Sequence, residues 1–230
     1  MPFNESLAPS VAQELAKKVI VPIIGPSGIG KSTVMQTICS LDDRFSHSTA
    51  FTTRPQRSNE PSDAYHFLPN TPEQYAQIQQ DFEDGTIIQY VEHPTTGHIY
   101  GTYVTDYTNE YNMLATLSNT VGGFRSVGFV ACRAVMLVAT AAEWRHRFFA
   151  RNMPEVEAEK RIAEGITSIE WGLGQGDAVA WITNANGKLT EASKQIISYS
   201  TGDEITQDNA RYIAEQLLDA LKAMEAQNVE

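Results

Sequence analysis

Residues 19–33 read VIVPIIGPSGIGKST. An apolar run, Val19 to Ile24, leads into Gly25-Pro26-Ser27-Gly28-Ile29-Gly30-Lys31-Ser32-Thr33. This is the spacing Gly, four residues, Gly-Lys-Ser/Thr, set between a buried-looking strand and a helix-like segment from Ser32 to Ser40. Glycines let the backbone curl so that successive N–H groups point into one concavity, a nest for an anion. The helix that follows adds its own unpaired N–H groups and the positive end of its dipole. In that geometry Lys31 lies along the outer phosphates of a nucleoside triphosphate. Ser32 offers its hydroxyl to a Mg²⁺ that bridges those phosphates.

The composition suits such a ligand and excludes others. At 230 residues and 42% hydrophobic, the chain is long enough for one sizeable domain with subdomains. A net charge of −11 argues against nucleic acid or an anionic membrane as partner, because either wants a basic face. The two cysteines, Cys39 and Cys132, are far apart in apolar surroundings and read as reduced, buried thiols. The start MPFNESLAPS has no basic and apolar leader pattern, and no run is long enough to span a membrane. A cytoplasmic location is the expectation.

Along the chain, residues 9–18 read as a helix with Ser10 as N-cap, and Pro22 is awkward inside the first strand. Arg54 and Arg57 stand three apart in a polar, extended stretch, a spacing that suits bidentate capture of phosphate; on charge alone a solvated basic turn is the favoured reading. Thr71 to Gly85 is a well-marked helix: Thr71 caps it, Pro72 opens it, Tyr75, Ile78 and Phe82 form its stripe, and Gly85 stops it. A strand from Thr86 to Val91, a turn through Pro94 to Gly97 and a return strand from His98 follow. Further on come a buried strand at Val135–Val138, a helix from Ala142 to Arg151 and a helix from Lys188 to Tyr199. Residues 203–227 read as an amphipathic packing or dimer helix, with Ile205, Tyr212, Ile213, Leu217, Leu218, Leu221 and Met224 on one side.

Over about residues 19–200 these motifs resemble the guanylate kinase family. The matching positions are Gly25–Thr33, Thr52-Thr53-Arg54-Pro55-Gln56-Arg57, Tyr65-His66-Phe67, Gln89-Tyr90 and Tyr100-Gly101-Thr102. The resemblance implies an α/β P-loop NTPase fold, with a central parallel sheet flanked by helices and with nucleoside-monophosphate (NMP)-binding and lid subdomains. The boundaries it suggests are a domain over 1–202, made of a core (1–49, 106–143, 163–202), an NMP-binding subdomain (50–105) and a lid (144–162). A C-terminal helix extension follows at 203–230. It implies ATP-dependent phosphoryl transfer to an NMP, GMP or dGMP, with Mg²⁺.

The same resemblance assigns roles. Gly25, Ser27, Gly28, Ile29, Gly30, Lys31, Ser32, Thr33 and Asn184 hold ATP. Arg54, Arg57, Tyr65 and Tyr100 hold the acceptor phosphate, and Gln89 and Thr102 meet its base. Lys31 and the lid arginines Arg147, Arg151 and Arg161 stabilise charge on the transferred group. Three features depart from the family pattern: Ala50 stands for a serine, Gln89 for a glutamate, and Ser118 to Ala134 contains no acidic residue where the family has Asp-x-Asp. Arg125 and Arg133 occupy that span, and Glu92 faces away from Gln89 by strand alternation. The alternatives left open are a kinase for another phosphorylated acceptor and a non-catalytic guanylate-kinase-like binding module.

Overall fold

A computed structural model describes residues 3, 4, 7–56, 60–62, 64–93, 96–206 and 208–227. In chain order its strands are β1 (Val19–Ile24), β2 (Phe45–His47), β3 (Phe51–Thr52), β4 (His66–Phe67), β5 (Ile87–Glu92), β6 (Ile99–Tyr103), β7 (Tyr111–Ala115), β8 (Ala131–Cys132), β9 (Val135–Val138) and β10 (Ala180–Thr183). Its α-helices are α1 (Pro9–Leu15), α2 (Lys31–Leu41), α3 (Pro72–Glu83), α4 (Val121–Ser126), α5 (Ala141–Phe149), α6 (Glu155–Leu173), α7 (Leu189–Thr201) and α8 (Asp208–Gln227). The expected class, α/β with a central parallel sheet flanked by helices, is the one observed. The chain divides into two compact units.

Unit one comprises Met1–Ile20, Arg44–Leu114 and Gly122–Cys132. Its four-stranded sheet has the order β4-β3-β6-β5, with β3 and β5 antiparallel to β6. Helix α3 forms as its caps dictate: the Thr71 hydroxyl accepts from Gln74 N, and Gly85 takes the left-handed turn after the last residue, at φ 78°. Its Ile78 packs with Phe51 and Ile87 in one small core. A second core gathers Leu15, Ile20, Ile88, Tyr107, Leu114, Phe124 and Val127. Phe3 closes that core, edge-on to Phe124 with ring centroids 5.0 Å apart, and its backbone bridges to Gln89. The N-cap of helix α1 lies two residues before the one read, at Ala8, with Pro9 in the first turn, so Ser10 is inside the helix. Proline's fixed φ suits that first position better than serine's cap bond.

Unit two comprises Val21–Asp43, Ala115–Val121 and Arg133–Glu230. Here β9 runs parallel to both β1 and β10. The position of Pro22 becomes intelligible: β1 pairs with β8 through Val19 and Ile20, and with β9 through Ile23 and Ile24. The residue without an N–H stands at the step where the partner changes, where a missing donor costs least. Helix α5 is set by a capping box between Thr140 and Glu143. Helix α6 runs through the region read as an acidic lid segment and packs against α8. Gly172 permits this helix to lie on the Met136 and Trp181 side chains.

The face of α8 differs from the sequence reading. Ala210, Ala214, Leu217, Leu218 and Leu221 are buried, whereas Tyr212 is 59% exposed. The alanines allow close approach to α6 and β10, and the bulky Tyr212 lies off that stripe. Helix α8 therefore packs within unit two, against α6, β9 and β10. Truncating Leu221 to Ala is expected to cost about 3 kcal/mol of unfolding free energy, the loss typical of an emptied core leucine site. Tyr212→Ala is expected to stay within about 0.5 kcal/mol of wild type. Urea unfolding of both variants checks this, and equal effects would contradict the assigned face.

Candidate functional site

In unit two, β1 delivers the chain into the loop Gly25–Gly30, and α2 leaves it at Lys31. Gly25, Gly28 and Gly30 have φ of 142°, 85° and 102°, values that side chains resist. Each is also crowded. A Cβ on Gly25 would strike the Leu137 carbonyl, one on Gly28 the Phe148 backbone, and one on Gly30 the Asn184 amide. The loop is thus pressed against β9, α5 and the residues after β10. Trp144 Nε1 donates to the Ser27 carbonyl at 2.9 Å, and Asn184 Nδ2 donates to the Ile29 carbonyl at 2.9 Å. With its carbonyls held outward, the loop leaves the first-turn N–H groups of α2 facing no main-chain acceptor among the described residues.

Lys31 Nζ donates to the carbonyls of Gly25 at 2.6 Å and Pro26 at 3.3 Å. Burial first, and then the guanidinium groups of Arg151 and Arg161, lower its pKa from 10.5 to about 8; Glu164 opposes them. Arg151 Nη1 donates to Ser27 Oγ at 3.1 Å. Arg161 is paired with Glu164 at 3.0 Å and Glu157 at 3.6 Å on α6. Arg147 donates to the carbonyls of Asn184 at 3.0 Å and Ile29 at 3.4 Å, and to Asn186 Oδ1 at 2.5 Å. Its guanidinium is committed to bracing the loop. Ser32 and Thr33 are exposed at the start of α2. Ser32 is the one protein donor the sequence assigns to Mg²⁺, and no cluster of three His, Cys, Asp or Glu exists among the described residues. That donor set fits an ion that arrives with phosphates and keeps its waters.

In unit one a second constellation forms. Arg54 is 9% exposed and lies 5.1 Å from the Tyr65 ring centroid and 5.6 Å from that of Phe67. Burial works against its charge, but the hydrogen-bonded Glu60 carboxylate outweighs this and raises its pKa above the usual arginine range. Tyr100 meets Tyr65 edge-on at 5.9 Å. Gln89 stands opposite Thr102 in the β5–β6 ladder. The Thr102 hydroxyl is buried and bonded to Tyr107 OH at 2.7 Å. Gln89 is 4% exposed, and its Oε1 has no hydrogen-bond partner among the described residues. Glu92 is exposed, as strand alternation requires. Arg57 lies outside the described residues, as do Pro94 and Thr95 of the predicted turn.

Unit one therefore brings together Arg54, Tyr65 and Tyr100, with Gln89 and Thr102 on the adjoining strands. Unit two brings together Gly25–Thr33 with Asn184, Arg147, Arg151 and Arg161. Neither Arg125 nor Arg133 joins these groups. Arg125 is hydrogen-bonded to the Cys132 thiol, which burial pushes up to about 11, and Arg133 lies over the Tyr199 ring. Glu60 and Trp144 were not anticipated. A carboxylate six residues beyond Arg54 in a polar loop was the available signal for Glu60; Trp144 read only as a helix residue.

The depressed pKa of Lys31 has a consequence for stability. The unfolded chain holds more protons than the folded one between pH 8 and 10.5, so this lysine's contribution rises with pH across that window. Lys31→Met is expected to be more stable than wild type by about 3 kcal/mol at pH 7. The difference should shrink as pH rises from 8 to 10. Urea unfolding at several pH values measures it; a difference independent of pH would refute the electrostatic account.

Comparison with known proteins places these motifs. The guanylate kinase family model matches residues 16–113. Guanylate kinases of two Streptococcus pyogenes serotype M3 strains are each 38% identical over 93 residues, covering 40% of this chain and 41% of theirs. The match thus spans about two fifths of the length of these curated relatives. A solved guanylate kinase from Anaplasma phagocytophilum superposes with a TM-score of 0.55 at 17% identity, over 83% of this chain and 88% of that one, and shows a shared fold. The chain is thus similar in sequence to the guanylate kinase family over residues 16–113, and it shares a fold with that solved structure over most of its length.

Proposed function

We propose that this protein is an ATP-dependent nucleoside monophosphate kinase that phosphorylates GMP or dGMP, with Mg²⁺ accompanying the ATP. The observation that carries this is the loop Gly25–Gly30. It has a lysine held across its carbonyls and first-turn N–H groups of α2 without a main-chain acceptor among the described residues, the requirements of a triphosphate cradle. Gly25, Ser27, Gly28, Ile29, Gly30, Lys31, Ser32 and Thr33 hold the phosphates in this reading, with Asn184 shaping the loop from behind. A non-catalytic module has no need of such a loop. Arg54, Tyr65 and Tyr100, together with Arg57, take the acceptor's phosphate in the NMP-binding region 50–105.

Base recognition falls to Gln89. A buried carbonyl oxygen without a partner costs about 1–3 kcal/mol. An incoming N–H recovers that cost. One carboxamide offers one acceptor and one donor face. It fits guanine's N1–H and O6 together, with Thr102 beside it.

The chemistry needs no general base, because the attacking phosphate oxygen is already anionic. It displaces ADP from the γ-phosphorus in line. Lys31 neutralises charge on the outer phosphates, and Arg151 and Arg161 of the lid region 144–162 stabilise the charge that spreads over the transferred group. Arg147 keeps the loop in shape for them. Mg²⁺ would be held by Ser32 and would neutralise phosphate charge as in-line transfer proceeds. A cytoplasmic location and a soluble, nucleic-acid-independent role accord with the acidic composition.

The test is ADP release with GMP, dGMP, AMP, UMP and a ribose bisphosphate as acceptors, with and without Mg²⁺. GMP and dGMP are expected to be turned over and the others not. Lys31→Ala is expected to lower kcat at least 100-fold, since a preorganised charge on the transferred group is removed. Retained turnover in that variant, or preference for a non-guanine acceptor, would contradict the proposal.

A further inference from the structure

The guanidinium of Arg54 is already occupied. Its Nη1 donates to Glu60 Oε2 at 2.8 Å and to the Pro55 carbonyl at 2.8 Å, and its Nη2 donates to Glu60 Oε1 at 2.5 Å. The two side chains are only 10% and 16% exposed, so the pair is sheltered from water. Glu60 is also held through its main chain, where Gln56 Nε2 donates to its carbonyl at 2.8 Å. The carboxylate thus sits fork to fork on the two terminal nitrogens, the geometry that a phosphate prefers on arginine.

We propose that Glu60 is an internal competitor for the acceptor's phosphate. In the unliganded protein its carboxylate fills the Nη1/Nη2 fork of Arg54; two phosphate oxygens displace it on binding, and it returns as product leaves. The proposal rests on the reading of this cluster as the acceptor-phosphate site. A buried guanidinium is costly to leave bare, and Glu60 removes that cost in the empty site. Phosphate binding then exchanges one anion for another, so its net gain is smaller than that of capturing an unpaired arginine. Affinity for the monophosphate is held down, and a diphosphate product is more readily released. Arg54 and Glu60 stand only six positions apart in sequence, so both members of the pair are local to one stretch of chain.

Calorimetric titration with inorganic phosphate and, separately, with GMP tests this in wild type, Glu60→Gln and the double variant Arg54→Ala/Glu60→Gln. Glu60→Gln is expected to bind both about tenfold more tightly, the scale of one charge-assisted hydrogen bond. The gain should vanish in the double variant. A wild-type crystal soaked in phosphate should show the Glu60 carboxylate off Arg54. Unchanged or weaker phosphate binding by Glu60→Gln overturns the proposal, as does a soaked structure in which Glu60 keeps its place on Arg54. If phosphate behaves as expected but GMP gives no binding in any form, the acceptor-site reading falls and the competition at Arg54 stands. Should Glu60→Gln fail to fold, Gln56→Ala releases the Glu60 main chain while keeping its charge. That variant is expected to bind phosphate about two- to threefold more tightly, for the loss of one neutral hydrogen bond; no tightening there also overturns the proposal.

Discussion

Lys31 is a cation enclosed by main-chain carbonyls, with two guanidinium groups pressing on it and one carboxylate, Glu164, in opposition. That arrangement is unfavourable by itself and dictates much of unit two. The loop can present its N–H groups on one side only if its carbonyls are taken up on the other. Trp144, Asn184 and Arg147 take them. Three glycines in left-handed conformations make the path possible, and their missing side chains let β9, α5 and Asn184 close against it. Positive charge gathered on one loop in this way is of the sign that favours an anion beside it.

Unit one handles its cation in the opposite manner. Arg54 is neutralised by a carboxylate from its own loop and flanked by aromatic rings. The difference follows from the side chains. A lysine can lose much of its charge when buried, so a depressed pKa is a tolerable state for it. An arginine cannot deprotonate in a protein, so burial obliges it to keep a counter-ion.

The strand, loop and first helix of unit two were legible because each is encoded locally, in an apolar run, glycine spacing and a helix start. Helix α3 was legible for the same reason, through Thr71, Pro72 and Gly85. What escaped depends on partners distant in sequence. Pro22 makes sense only once β8 and β9 are seen to share β1 end to end. Strand β7 lies in a stretch, 103–117, to which no role was assigned, and α6 was not read as one helix because its charged first turns were taken with the lid, 144–162. The face of α8 was misjudged at Tyr212 since small alanines, whose burial depends on what packs over them, carry the contact. At the candidate site, the arginines were singled out by spacing and by resemblance. Their division of labour was not, because whether a guanidinium braces a loop, as Arg147 does, or meets a carboxylate, as Arg54 does, is decided by tertiary neighbours.

The departures from the family pattern share one location. Ala50, Phe124, Val127 and Cys132 all belong to or pack against the same apolar cluster of unit one, and Phe3 completes it. The acid-free stretch 118–134 includes α4, where Gly123 has no side chain because the Phe3 ring lies over it. Gln89 is next in line: its backbone bridges to Phe3, and its neighbour Ile88 is in the cluster. A carboxylate buried beside such a surface would be pushed toward its neutral form or would need a cation close by. An amide keeps a hydrogen-bonding acceptor at the same place without the charge. Ala50, Gln89 and the acid-free stretch 118–134 thus meet at one apolar cluster, a setting in which an uncharged acceptor costs less to bury than a carboxylate.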